Sequence, residues 1–178
     1  QPARAGIMGK ITNSRHVIMR AARDYPNAPG ADALQDAAGQ IARTLTRLER
    51  PLPLEALRGI EGDSSRTYFQ VFNHFITQQN DDFQFTKRSR RPPLDNINAL
   101  LSFLYVLLSH DIQSALETVG LDPQVGFLHR DRPGRPSLAL DLMEELRPIW
   151  ADRLALTLIN RRQITAAGFT KTESGAVR

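Results

Sequence analysis

An all-α fold of about seven helices is what this 178-residue sequence predicts. Three observations carry the prediction. Apolar residues recur at i, i+3, i+4 and i+7 in the long segments, which is helical spacing. No stretch alternates apolar and polar residues long enough to make a strand, and "GFLH" (126–129) is too short to count. Prolines and glycines gather between the periodic segments, in "DYPNAPG" (24–30), "RPLP" (50–53), "RRPP" (90–93) and "RPGRP" (132–136).

Each element has its own reason. Residues 6–23 mix apolar and basic residues in a helix-compatible pattern, so 1–30 reads as an entry segment ahead of a helical domain at 31–178. Residues 31–49 are rich in Ala, Leu, Gln and Arg, all good helix formers, with Ile41, Leu45 and Leu48 on one stripe. Pro51 and Pro53 suit a helix entry. Tyr68, Phe69, Phe72, Phe75 and Ile76 then form one apolar face. Carried back along the same helix, that phase places Glu61 beside Ser65, Tyr68 and Phe72. If the helix instead starts at Asp63 or Ser64, both good caps, Glu61 turns to solvent. A long helix is predicted from Leu94 to Val119, with Ile97, Leu100, Leu101, Leu104, Leu108, Ile112 and Leu116 inward and Gly120 as its stop. Ser137 is a good N-cap for a last long helix, whose core side is Leu138, Leu142, Leu146 and Ile149, with Arg153 at the edge.

Composition narrows the function. Hydrophobic residues make up 41% of the chain, enough for a packed core. There is no cysteine, which removes disulfides, thiolate zinc sites and cysteine nucleophiles and suits a reducing, cytoplasmic setting. No apolar run approaches the roughly 20 residues that cross a bilayer. The formal net charge is +4, which permits a polyanionic partner without demanding one. The cations are concentrated: Lys87, Arg88, Arg90 and Arg91 stand in "KRSRR" (87–91), and Arg130, Arg132 and Arg135 surround a Pro-Gly turn. No Gly-rich phosphate loop and no Ser-His-Asp set is present.

One constellation carries chemistry. Asp141 and Glu144 lie three apart, about 60° around a helix, so both carboxylates can address one spot. Asp141 is embedded in "SLALDLM" (137–143), which is not a solvated face. The bland account is that both acids favour a helix N-terminus. Glu61, phased onto an aromatic face, needs a cation or hydrogen-bonding partner there. His129 precedes the turn; taken alone it reads as structural or exposed. Together, carboxylates plus an imidazole suit Mg²⁺ or Mn²⁺. Such an ion polarises a phosphoryl oxygen, with nearby arginines on a nucleic-acid backbone.

The segments "GIEGDSSRTYF" (59–69), "RRPPLDNINALLSFLYVLLSHDIQSALETVGLDPQVGFLH" (90–129) and "RPSLALDLMEELRPIWAD" (136–152) resemble, in order, three signature blocks of the CRISPR-associated adaptation endonuclease, the first Cas protein. The "LDLMEELRP" ending looks most like the type I-C branch. The resemblance implies the family's helical catalytic domain, with its small N-terminal β domain absent from this chain. It implies metal binding by Glu61, His129 and Asp141, with Glu144 at a position that often carries aspartate in relatives. It also implies a homodimer in the full-length protein, a second small CRISPR adaptation protein as partner, and DNA as substrate, with short foreign DNA inserted into the CRISPR array by attack of a 3′-hydroxyl on a phosphodiester. Arg66, Tyr68, Asn98 and Tyr105 fall in signature blocks and are candidates for DNA contact, with core packing or a helix-start hydrogen bond as the competing account. A non-catalytic helical DNA-binding module, acting through the basic segments alone, is the alternative to an enzyme.

Overall fold

In the computed structural model, residues 2–129 and 132–178 are described. Six α-helices lie among them, and no strand: α1 (Pro2–Asp24), α2 (Ala31–Arg47), α3 (Leu54–Gln70), α4 (Asn96–Thr118), α5 (Ser137–Leu146) and α6 (Arg153–Asn160). The expectation of an all-helical fold is met. The count is six rather than about seven; Leu54–Gln70 is one helix rather than two, and the last long helix is broken into α5 and α6.

α1 runs through the middle of the bundle. Ile7, Ile11 and Ile18 are fully enclosed, and α2, α3 and α5 all pack on this helix. α3 begins directly after Pro53, as its fixed φ favours, and continues through Gly59 and Gly62. Glu61 is therefore inside a helix, and the start at Asp63 or Ser64 is excluded. The aromatic face then bends. α3 ends at Gln70, and Phe72–Phe75 form a 3₁₀ turn. Tyr68, Phe69, Phe72, Phe75 and Phe85 pack with ring centroids 4.9–5.8 Å apart, a dense aromatic core beneath the basic loop.

α4 is long and apolar enough to cross a bilayer by length and composition, which corrects the expectation that no segment reaches that size. Here its Ile97, Leu100, Leu101 and Leu104 face the core, while Phe103, Val106 and Leu107 are exposed. Asp95 caps it, accepting the Asn98 amide at 2.7 Å.

The last helical region departs most from expectation. Pro148 lacks an N–H, and the chain answers with a π turn over Pro148–Asp152, closed by the Asp152 amide on the Arg147 carbonyl at 3.0 Å. Nor is the inward side of α5 the leucine line. Leu142 is 39% exposed, whereas Ala139, Asp141, Met143 and Glu144 are buried. Ser137 is not the cap; it is the first helical residue, with a buried hydroxyl that has no partner. The reason is close approach: α5 presses Ser137 and Asp141 against the 126–129 segment, while Ala139, Met143, Leu138, Leu140 and Leu146 pack on α4.

Candidate active site

Three separated segments bring Glu61, His129 and Glu144 to the lining of one hollow of about 380 Å³, together with Arg58, Leu128, Arg132 and Arg135. Asp141 does not line it. The reason is local. Asp141 Oδ2 accepts the amides of Phe127 at 2.6 Å and Leu128 at 2.8 Å, and Oδ1 accepts the His129 amide at 2.9 Å and faces His129 Nδ1 at 2.5 Å. Burial pushes this carboxyl up, but the imidazole and the three amides outweigh it and hold it below the usual aspartate range. An ionised Asp141 only accepts, so Nδ1 carries the proton and Nε2 is the ring nitrogen left to offer a lone pair. That is the arrangement by which a carboxylate orients a ligating histidine.

Glycine makes this approach possible. A Cβ on Gly126 would stand 2.7 Å from Ser137 Cβ and 2.8 Å from Asp141 Oδ2. Arg58 fastens the other side: its guanidinium donates to the Leu128 carbonyl, from Nε at 3.0 Å. The histidine loop is thus tied to α5 through Asp141 and to α3 through Arg58.

Across the hollow, Glu144 is buried and ionised. Burial alone would raise it, but the Lys10 ammonium, 2.6 Å from Oε2, and Arg147, 2.5 Å from Oε1, hold it down at about 2. Lys10 also bonds Glu61 Oε1, which the Ser65 hydroxyl joins at 2.9 Å. Lys10 comes from α1, a segment with no candidate site residue in the sequence reading. Its only signal there was a lysine within "GKITNSR" (9–15).

Among the described residues no three His, Asp or Glu side chains are already gathered around a common point. Lys10 stands between Glu61 and Glu144, and the imidazole faces Asp141 through Nδ1. The donor set nonetheless fits a divalent cation, because the Glu61 and Glu144 carboxylates already share one nitrogen, that of Lys10, beside the His129 ring.

Behind Glu144 lies a second buried group. The Tyr105 hydroxyl donates to Asp152 Oδ1 at 2.6 Å, and Arg147 stacks 4.8 Å over the Tyr105 ring. Burial raises Asp152 to about 6, against hydrogen bonding from Tyr105. Burial beside Asp152 also raises both tyrosines.

Comparison with known proteins agrees with this geometry. The profile described as "CRISPR associated protein Cas1" matches residues 1–178. The chain belongs to the Cas1 family. A relative from Rhodospirillum rubrum, a CRISPR-associated endonuclease Cas1, is 57% identical over 175 residues, covering 96% of this chain and 51% of the relative. The chain spans about half the length of the curated Cas1 relatives it matches. Among solved structures, a casposase bound to integration product superposes with a TM-score of 0.82 at 29% identity, over 99% of this chain and 47% of that one. A chain of a partial Cas6-RT-Cas1–Cas2 complex gives 0.77 at 29% identity, over 100% of this chain and 53% of that one.

On this Cas1 fold the candidate DNA residues divide. Arg132 lines the hollow exposed, and Arg135 lines it half-buried. Lys87, Arg90 and Arg91 are exposed on the basic loop. Arg66 is exposed and pairs with Asp63 at 3.3 Å. The others turn inward. Asn98 is fully buried, donating to the Lys87 carbonyl and accepting from Arg88 at 2.6 Å. Arg88 also lies 5.3 Å over the Tyr105 ring. Tyr68 is 2% exposed, and its hydroxyl is held near the buried Asp152 carboxylate. Tyr68 and Asn98 are buried and Arg88 and Tyr105 half-buried, and the contacts of all four brace the loop and the core. Arg130 lies outside the described residues.

Proposed function

We propose that this chain is the catalytic half of a metal-dependent DNA endonuclease and integrase of CRISPR adaptation, inserting short foreign DNA by phosphodiester exchange. The observation that supports it is the meeting of Glu61, His129 and Glu144 in one arginine-edged hollow, with a positive atom shared by the two carboxylates. Glu61, Glu144 and Nε2 of His129 are the groups that would hold Mg²⁺ or Mn²⁺, and Asp141 orients the imidazole. Bound there, the cation supplies charge against the negative charge that builds on the reacting phosphate oxygens.

The chain's own groups do the rest. Arg132 and Arg135 stand where they can grip phosphates beside the hollow. Arg58 keeps the histidine loop in register through the Leu128 carbonyl. Ser65 and Arg147 hold Glu61 and Glu144 in place, so the carboxylates need not reorganise when substrate arrives. A homodimer and a second small Cas protein complete the proposal. They rest on family resemblance, and the solved Cas1–Cas2 assemblies of relatives support the second.

The test is nicking and strand transfer on DNA with Mg²⁺ or Mn²⁺. Glu61→Ala and Glu144→Ala are expected to abolish both while circular dichroism shows the helical fold. Activity that survives in both variants, or that ignores a chelator, defeats the reading and leaves a DNA-binding module.

A further inference from the structure

Lys10 sits at the centre of the site, between the two glutamates. Its ammonium bonds Glu61 and Glu144 at once, and its side chain is only 12% exposed. Two carboxylates this close repel each other, and Glu144 is nearly enclosed, so the pair needs positive charge between them. Arg147 cannot supply it alone, because it holds the far oxygen of Glu144. Lys10 is long enough to reach both acids only because α1 packs against both α3 and α5.

That position conflicts with a divalent cation. A ligand oxygen stands about 2.1 Å from Mg²⁺. Glu144 Oε2 already has the Lys10 nitrogen at 2.6 Å, on the side it shares with Glu61. Two cations cannot both occupy the space between those oxygens. We propose that Lys10 is a resident counter-cation, holding Glu61 and Glu144 together until a divalent metal ion takes its place. This rests on the metal-binding reading above and adds a competitor built into the chain.

Lys10 also lines a second, narrow cleft, with Ser14, Ser65, Tyr105, Arg147 and Asp152. Asp152 is the one carboxylate in that lining, and the two serines offer hydroxyl acceptors. Displaced from Glu61 and Glu144, the ammonium loses both acidic partners that shield it and becomes more accessible to solvent.

Calorimetric titration of the metal-stripped chain with Mn²⁺, for wild type and Lys10→Met, tests the proposal. Methionine keeps the length and removes the charge. The variant is expected to bind Mn²⁺ at least about tenfold tighter, since no ammonium must be displaced. It should melt lower in chelator and gain more from added Mn²⁺. Tight binding by wild type with equal or weaker binding by Lys10→Met overturns the proposal and leaves the metal reading standing. No Mn²⁺ binding by either protein overturns both. A second measurement needs no variant. Acetylation of Lys10 by an amine-reactive reagent, read by mass spectrometry on wild type, should rise on saturation with Mn²⁺. Unchanged labelling at saturation shows that the ammonium stays in place, and overturns the proposal.

Discussion

Asp141 Oδ1 stands 2.5 Å from His129 Nδ1, and the same carboxylate receives three successive backbone amides, from Phe127 to His129. An acid with that many donors has little left to give a ligand. Glu144, one turn later on α5, is the acid that faces the hollow. The two carboxylates share a helix and divide the work: one shapes the loop that carries the histidine, the other is presented with Glu61.

This division separates two substitutions. Asp141→Ala leaves three amides and an imidazole N–H buried without their acceptor. It is expected to lower unfolding free energy by on the order of 3–5 kcal/mol in urea titration. Asp141→Asn, which keeps one acceptor oxygen, should lose less. Neither should remove Mn²⁺ binding as fully as Glu144→Gln. A urea midpoint unmoved by Asp141→Ala would show that the loop is held by something else.

The basic residues also separate. Arg132→Ala and Arg135→Ala remove charge from the rim of the hollow. Each is expected to weaken DNA binding and reduce the slope of log affinity against log salt by about 1, with melting temperature unchanged. Arg88→Ala should behave differently. Its guanidinium is anchored on Asn98 and Tyr105, and burial pulls it below the usual arginine range. Its loss is expected to cost stability first. An Arg88→Ala protein that melts like wild type yet loses DNA affinity contradicts this assignment.

What the sequence made legible follows local rules. Pro53, the aromatic spacing and the Asp95 cap each act within a few residues; α4 formed within two residues of expectation, while α3 starts after Pro53 as expected but ends at Gln70, six residues short of Ile76. Glu61 and Glu144 were legible because an acid on an apolar face needs a partner. Asp141 was legible as unusual, yet its task was not, because that task depends on three amides twelve to fourteen residues away. The inward side of α5 was misread for a related reason. Leucines normally mark the core, but on the side facing the 126–129 segment the closest neighbour is backbone, and only the small Ser137 and short Asp141 side chains allow it near. Lys10 was invisible, because nothing in "GKITNSR" announces that α1 crosses between α3 and α5.

Asp152 and Glu144 give opposite dependences on pH. Glu144 is held near 2, below its unfolded value of 4.5, so its contribution is complete above 4.5 and lost as pH falls toward 2. Asp152 is raised from 3.8 to about 6, so the folded state favours its protonated form. That preference is full below 3.8 and gone once pH passes about 6. Wild-type stability is expected to fall by on the order of 3 kcal/mol between pH 4 and 6 from this group. Asp152→Asn should flatten that window while keeping an acceptor for Tyr105. Urea titrations at several pH values decide it; an unchanged slope in Asp152→Asn assigns the fall elsewhere.

Two glycines test the packing directly. Gly62 is in the exposed interior of α3, and a Cβ there meets nothing within 4 Å. Gly62→Ala should therefore stabilise the chain by about 0.5–1 kcal/mol, through helix propensity and a less flexible unfolded state. Gly126 is the reverse case, since its Cβ would fall within 3 Å of Ser137 backbone and of Asp141. Relieving that overlap moves either α5 or the histidine loop, so Gly126→Ala is expected to cost about 1–3 kcal/mol. Thermal melts compare the two. If Gly126→Ala melts at or above wild type, the loop does not lie against α5 as closely as the Asp141 hydrogen bonds require. The tautomer assigned to His129 then loses its support.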